Sequence, residues 1–439
     1  MPFEAPVTLD TVTSNHTRRI AVIGAGISGM GAAHKLSSDN QVTLLESGAR
    51  IGGHARTVIA GKNGDQPVDT GFIVFNYANY PHLAALFSEL DVPVVKSNMS
   101  FGASIDGGRL EYALTGFNAM FAQRSNLVNP RFIGMLRDVV KFNKYALDVA
   151  QDKTLSLRAF LAKLGTGNYF RDYYLLPLSG AIWSTPVDQV MDFPAHAIIR
   201  FFENHALLGY SGQHQWYTVQ GGSISYVSRL EAAMRQGGVD IRLNASVQGV
   251  RRNAHGAEVK TYGGNWERFD EVIMATHSDD TLAMLTDATP AEQAALGAIA
   301  YQPNDIVLHA DAAIMPKRRA TWASWNYTED AKAKSDRIDL TYWMNSLQPI
   351  PHDDPHFVTL NTKRTIREEL IYDQVILRHP VYDLAVLDAQ DAVRAMNGQN
   401  NTWFCGAWMR HGFHEDGLSS AVDVVNALSD RAAAALAAQ

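Results

Sequence analysis

Residues 18–36 read RRIAVIGAGISGMGAAHKL, and residues 41–46 read QVTLLE. Ile20 to Ile23 is a short apolar, β-branched run, the pattern of a strand buried on both faces. Gly24, Gly26 and Gly29 follow with GxGxxG spacing and open a helical stretch. QVTLLE then supplies a second buried strand, completing a βαβ unit. The first glycine permits the tight turn, the second lets backbone approach a pyrophosphate, and the third lets the helix pack closely on the strand. Ile27 and Ser28 begin the helix, whose unpaired N–H groups and dipole favour phosphate. Glu46 stands twenty residues after Gly26, at the end of the second strand. There a carboxylate can accept hydrogen bonds from ribose hydroxyls, and Ser47 adjoins it. An acid at this position disfavours a 2′-phosphate, and so NADP.

The rest of the chain bounds the answer. It has 439 residues, 46% apolar and 19% charged, enough for a large core and two to three domains. The net charge of −7 argues against a nucleic-acid partner. A single cysteine, Cys405, excludes an internal disulfide and a cysteine-based metal site. No HExxH or GxSxG spacing occurs, so neither a metal centre nor a serine nucleophile is expected. Residues 1–18 read as a flexible leader rather than a signal peptide. The most apolar run, Ile20 to Ala33, has fourteen residues with four glycines, too short to span a bilayer. A cytoplasmic protein fits these features.

Along the chain, residues 81–206 read as mainly helical, with amphipathic stretches at 131–149 and 155–164. The segment 224–236 reads as a helix, and 241–250, 258–261 and 269–275 as strands. Residues 304–310, 321–327 and 339–345 are strand-like and rich in Trp, Tyr and Val. A strand at 402–405, a glycine-rich turn and a helix from Leu418 close the chain. The fold class is therefore α/β, a Rossmann-like nucleotide-binding part joined to a helical and mixed-sheet α+β part.

Three segments narrow the nucleotide. Arg50-Ile51-Gly52-Gly53-His54-Ala55-Arg56 places a glycine pair just after Glu46. Asp69-Thr70-Gly71-Phe72 follows, and FCGAWMRHGFHEDGLSSAVDVV occupies 404–425. With these, the sequence resembles the flavin-containing amine oxidase and phytoene desaturase superfamily. It looks closest to a bacterial FAD-dependent subgroup that accompanies cyclopropane-type fatty acid synthases. The resemblance implies non-covalent FAD, since Cys405 sits on a buried strand. It implies cofactor contacts from Gly52, Gly53, His54 and Ala55, from Gly71, Phe72 and Ile73, and from Val247 and Ala275. Gly406, Asp416, Gly417 and Leu418 complete the set, with a new helix near Gly417 aimed at the flavin pyrimidine. It also implies a discontinuous FAD-binding domain (1–80, 207–285 and 395–439) and a substrate domain (81–206 and 286–394).

Two positions depart from the family. The arginine after the glycine pair is His54; Arg56 takes over its phosphate contact, or the charge is missing. The aromatic tyrosine that helps to cage an amine is His414, which is the candidate catalytic residue as a proton acceptor near neutral pH. The aromatic stretch 321–327, with Tyr342 and Trp343, either lines a substrate tunnel or forms cross-strand pairs in a sheet.

Residues 109–163 hold nine Lys/Arg and four Asp/Glu, a local balance of +5. They also hold Phe117, Met120, Phe121, Phe132, Met135 and Leu136. Basic and bulky apolar residues on helices suit either a membrane surface or an ordinary amphipathic helix. The resemblance therefore implies a FAD-dependent desaturase of a methylated fatty acyl chain in a phospholipid, peripheral on the inner membrane face. Hydride would pass to flavin N5, and O2 would reoxidise the flavin to give H2O2. The alternatives are an amine oxidase, or a non-catalytic flavoprotein partner in a lipid-modifying complex.

Overall fold

The structure, a computed structural model, describes residues 17–183, 190–209, 213–329 and 337–437. Most of the leader, residues 1–16, therefore lies outside the described residues. The opening unit forms as its sequence predicts. β1 (Arg19–Ile23) leads through the glycine turn into α1 (Ile27–Leu36), and β2 (Gln41–Leu45) lies parallel to β1, Ile23 opposite Leu45. These strands are central to a five-stranded parallel sheet. Its order is Asp240–Arg242, β2, β1, Glu271–Met274, Thr402–Phe404. The carboxyl ends of all five strands lie along one edge. In open parallel sheets that edge is where ligands bind.

A second, seven-stranded sheet is mixed. It runs Ile371–Val381, Ala300–His309, Phe357–Leu360, Asp339–Trp343, Trp325–Glu329, Phe101–Ile105 and Leu110–Ala113. The described part of 81–206 is mainly helical, as expected, but the last two strands and Val94–Ser97 interrupt it. Two short runs around a turn at Asp106–Gly108, all three residues at positive φ, form a hairpin there. The expected strand at 241–250 is two strands. Asn244, at φ 53°, breaks it into Asp240–Arg242 in the parallel sheet and Val247–Asn253 in a separate antiparallel one.

Helices pack where periodicity directs. The helix Pro130–Val149 starts with Asn129, whose Oδ1 accepts from the N–H groups of Arg131 at 3.0 Å and Phe132 at 3.4 Å. It buries Phe132, Met135, Val139, Phe142 and Ala146, spaced three and four apart, the face of an amphipathic helix. Phe132, Met135 and Phe121 are thus core residues, which removes half of the apolar residues expected at a membrane surface. Among the described residues no helix is long and apolar enough to cross a membrane.

Candidate active site

The glycine turn is shaped by contacts. Gly24 has φ +97°, and a Cβ on it would sit 3.0 Å from the carbonyl oxygen of Ala275. A Cβ on Gly29 would overlap the carbonyl of Gly24, so that glycine is needed for close packing. Gly26 differs, because a Cβ there would meet nothing within 4 Å. It faces open space. Gly26 is also the N-cap of α1, with no side-chain cap and no acid in the first turn. The helix N-terminus is therefore left free for an anion.

Glu46 sits over this turn. One carboxylate oxygen accepts from the N–H of Ala25 at 2.8 Å, the other from the N–H of Gly48 at 2.7 Å. Gly52 donates to the carbonyl of Ala25 at 2.8 Å, which ties the second glycine pair to the first turn. Arg50 does not reach outward. Its guanidinium donates to the carbonyls of Gly53 at 2.8 Å and Ala55 at 3.1 Å and braces the loop.

The position of the missing arginine is filled by imidazoles. His54 donates from Nε2 to the carbonyl of Arg378 at 3.2 Å. Its ring lies 5.8 Å from that of His277 and 5.6 Å from that of His379. Burial lowers all three pKa values, those of His277 and His379 to about 3. All three rings are neutral near pH 7. Arg56 does not compensate, contrary to one expectation. Its guanidinium pairs with Asp373 at 2.7 and 3.0 Å and donates to Thr70. Arg378 is likewise committed, to Asp279 and Asp280 at 2.5 Å each. One guanidinium is thus shared by the two carboxylates beside His277.

In the C-terminal motif the strand Thr402–Phe404 runs into Cys405, which is fully buried, with burial pushing its thiol up to about 12. The final helix begins at His414, not near Gly417. Asp416 accepts from the N–H groups of His411 at 3.2 Å and Phe413 at 2.9 Å and braces the loop. A Cβ on Gly417 would sit 2.9 Å from Ser28 Oγ, and Leu418 is buried beside α1. Asp416, Gly417 and Leu418 therefore stand behind the cavity wall, as do Gly29, Gly52 and Ala55. They shape the site without facing it.

His414 does face it. Its ring stacks on Phe72, with centroids 4.0 Å apart and planes 14° apart. Its Nε2 lies 2.6 Å from the hydroxyl of Tyr226, for which no other partner is found among the described residues. A buried phenol needs an acceptor for its proton, so Tyr226 donates and Nε2 accepts. The His414 proton then resides on Nδ1. Burial also pushes its pKa down to about 3. The ring is therefore uncharged near neutral pH, with Nε2 engaged by Tyr226 and the Nδ1 hydrogen left to donate.

These groups line one cavity of about 1460 Å³. Gly24, Gly26, Ile27, Ser28, Glu46, Ser47, Gly53 and His54 line it at the strand ends. Gly71, Phe72, Ile73, Val247, Ala275, Gly406 and His414 contribute further wall. The cavity continues over Leu114, Met120, Leu136, Val139, Leu178 and Ile182 to Trp325, Tyr342, Leu360 and Leu377. Trp325 and Tyr342 are cross-strand partners with rings 5.4 Å apart, as one expectation had it, and both line the cavity. Trp322 and Trp343 serve elsewhere, packed on the Arg319 guanidinium at 3.6 and 4.5 Å.

The sequence profile of the flavin containing amine oxidoreductases matches residues 27–344. The chain belongs to this family. A curated relative, an L-amino-acid oxidase from Sistrurus catenatus edwardsii, is 48% identical over 48 residues, which is 11% of this chain and 9% of that protein. Among solved structures, a cyclohexylamine oxidase from Brevibacterium oxydans IH-35A superposes with a TM-score of 0.67 at 13% identity, covering 94% of this chain and 100% of that one. A CLA-producing fatty acid isomerase from P. acnes gives 0.66 at 15%, covering 94% and 99%. At such identities the likeness is one of fold.

As a member, the chain is a flavin-dependent oxidoreductase. The residues present fit a flavin dinucleotide on three counts. α1 is uncapped, and Gly26 opens onto the cavity. The cavity exceeds the roughly 300–1,000 Å³ of a common small-ligand pocket. Finally, the buried hydroxyl of Tyr382 lines the cavity with no hydrogen-bond partner among the described residues. Sequence reading passed over Tyr382, as it did Tyr226, His277 and His379. For His379 and Tyr382 the one signal was polar residues at a strand end, in His379-Pro380-Val381-Tyr382, where the match to the family was loosest.

Proposed function

We propose that this flavoprotein is a FAD-dependent desaturase of a long acyl chain, a methylated fatty acyl group of a phospholipid. Dioxygen is the final acceptor. The observation that carries this reading is the cavity wall beyond the nucleotide end. Leu114, Met120, Leu136, Val139, Leu178 and Ile182 line it beside Thr115, Asn143 and Tyr174, and Trp325, Tyr342, Leu360 and Leu377 extend it. The charged cavity residues Asp280 and Arg378 pair with each other, and Glu46 binds the glycine turn. Such a lobe suits a hydrocarbon and offers an ammonium group no counter-charge.

The residues of this chain divide the work. The glycine turn, the N-terminus of α1 and Glu46 hold the nucleotide. The apolar lobe aligns the chain and excludes water. When bound, the flavin supplies a two-electron acceptor for a C–H bond. Overall, two hydrogens leave adjacent carbons, one with its electron pair and one as a proton, and a C=C forms. Dioxygen takes both electrons and both protons as hydrogen peroxide. An amine substrate is disfavoured because His414, at the amine-cage position, is stacked on Phe72 and bound to Tyr226. The fatty acid isomerase of like fold supports an acyl substrate for this architecture.

Anaerobic mixing of the loaded protein with phospholipid, free fatty acid and amine panels tests the reading. Bleaching of the flavin band by acyl substrates alone is expected. Bleaching by amines and not by lipids overturns it.

A further inference from the structure

The cavity reaches the surface beside the helix Pro130–Val149. Phe117 and Val140 both line it, yet they are 67% and 53% exposed. Val128, just before that helix, is 83% exposed, and Leu127 and Leu147 are exposed too. On the helix, Arg137, Val140, Lys144 and Leu147 are spaced three and four apart and form one exposed stripe. Cations and apolar groups thus alternate where the cavity opens.

Arg124, Arg131 and Arg137 are exposed, and none forms an ion pair among the described residues. On other helices Arg200 is paired with Glu203 and Arg235 with Glu231, while Arg229 donates to the carbonyl of Leu90 at 3.0 Å. Lys141 is excluded from the set, since its ammonium donates to the carbonyl of Gly165 at 2.8 Å. Asp138, the acid nearest Arg137 in sequence, is turned to the N–H of Gly167. Asp148 remains as an exposed acid at the far end.

We infer that this face docks on an anionic lipid surface, with Phe117, Val128 and Val140 entering the headgroup boundary and Arg124, Arg131 and Arg137 meeting phosphates. Unpaired cations around an exposed apolar patch have the charge and chemistry of an anionic bilayer. Docking there would bring the cavity mouth against the acyl chains. The inference rests on the acyl-chain reading for its purpose, but not for its test.

The test is co-sedimentation of the flavin-loaded full chain with vesicles. One set is phosphatidylcholine alone and the other equal parts phosphatidylcholine and phosphatidylglycerol. The parent should bind the anionic set and release with added salt. Each cation is worth about fivefold in partitioning, so Arg124→Gln with Arg131→Gln and Arg137→Gln should weaken binding about a hundredfold. Val128→Ser should weaken it further, and the flavin spectrum of both variants should match the parent's. A parent that ignores anionic vesicles overturns the inference and directs the patch to a protein partner. A triple variant that binds like the parent also overturns it. No turnover is read, so either failure leaves the acyl reading to the bleaching measurement.

Discussion

The hydroxyl of Tyr226 lies 2.6 Å from Nε2 of His414, and this bond sets which nitrogen of His414 carries the proton. The two residues come from a helix at 224–236 and from the start of the last helix, so the bond also joins two distant parts of the chain. Tyr226→Phe leaves a buried acceptor unpaired, and His414→Phe leaves a buried hydroxyl unpaired while keeping an aromatic ring on Phe72. Each should cost about 1–3 kcal/mol of stability. The double variant should cost less than the sum, because one bond is lost twice in the single changes. Urea unfolding of the four proteins measures this. Strict additivity would show that the pair is not coupled.

The three glycines of the first turn separate cofactor binding from folding. A Cβ at position 26 meets no protein atom within 4 Å, so Gly26→Val should fold with unchanged circular dichroism. The added atoms occupy the space facing the uncapped N-terminus of α1, so flavin absorbance per chain should be lost. Gly29→Ala should do the reverse and impair folding, since its Cβ would overlap the Gly24 carbonyl. A yellow Gly26→Val protein would place the pyrophosphate elsewhere.

Cys405 is fully buried on its strand, and burial pushes its thiol up to about 12, so a thiolate able to attack a flavin does not form near neutral pH. Acid precipitation should therefore release the flavin into the supernatant. Cys405→Ser should keep the parent's flavin content. Flavin retained in the parent's pellet and released from the variant would reveal a covalent link.

How much of this was legible in the sequence follows from the range of each interaction. The turn at Gly24–Gly29, Glu46 and α1 is local, and motif spacing alone located all of it. The fates of Arg56 and His54 were not local. They depend on Asp373 and on the Arg378 carbonyl, more than three hundred residues away. Separation along the chain, 188 residues for the Tyr226–His414 bond, likewise hid that bond and the imidazole cluster, because spacing carries no sign of them. Periodicity showed that the helix at 130–149 is amphipathic, but not which of its apolar residues face inward. The strands at 101–113 pair with each other, and the first of them also with 325–329, but both are short. A run of four or five residues holds too few positions to show a period.

Buried histidines should make the protein acid-labile. His379 is held to about 3 by burial, against an ordinary value of 6.5. Below pH 6.5 the unfolded chain takes up a proton that the folded chain refuses, so stability falls as pH falls from 6.5 towards 3. One such group contributes a slope of about 1.4 kcal/mol per pH unit. Asp69 runs the other way. Its carboxyl is raised to about 6 by burial, so it favours the folded state at low pH and loses that contribution as pH rises through 3.8 to 6. Comparing the parent with His379→Gln isolates the histidine. Between pH 6.5 and 4 the variant's unfolding midpoint should fall less steeply. Parallel curves would mean that His379 titrates normally in the folded protein.

If the apolar lobe holds a hydrocarbon, its volume should set chain length. Leu136 lines the lobe from the helix at 130–149 and is only partly buried, so a larger side chain there can extend into the cavity with little disturbance of the core. Overpacking a closed core costs about 1–3 kcal/mol, and a change facing open volume should stay below that. Leu136→Trp should therefore keep its flavin and its unfolding midpoint while losing activity on long chains. Each methylene denied burial costs about 0.8 kcal/mol. Excluding three should thus lower kcat/KM for the longest substrates roughly fiftyfold, while shorter chains are spared. A series of acyl chains of increasing length, read by the rate of anaerobic flavin bleaching, shows this as a shift of the optimum to shorter chains. A uniform loss across all lengths would place the chain elsewhere in the cavity, and no loss at all would remove the lobe from substrate binding.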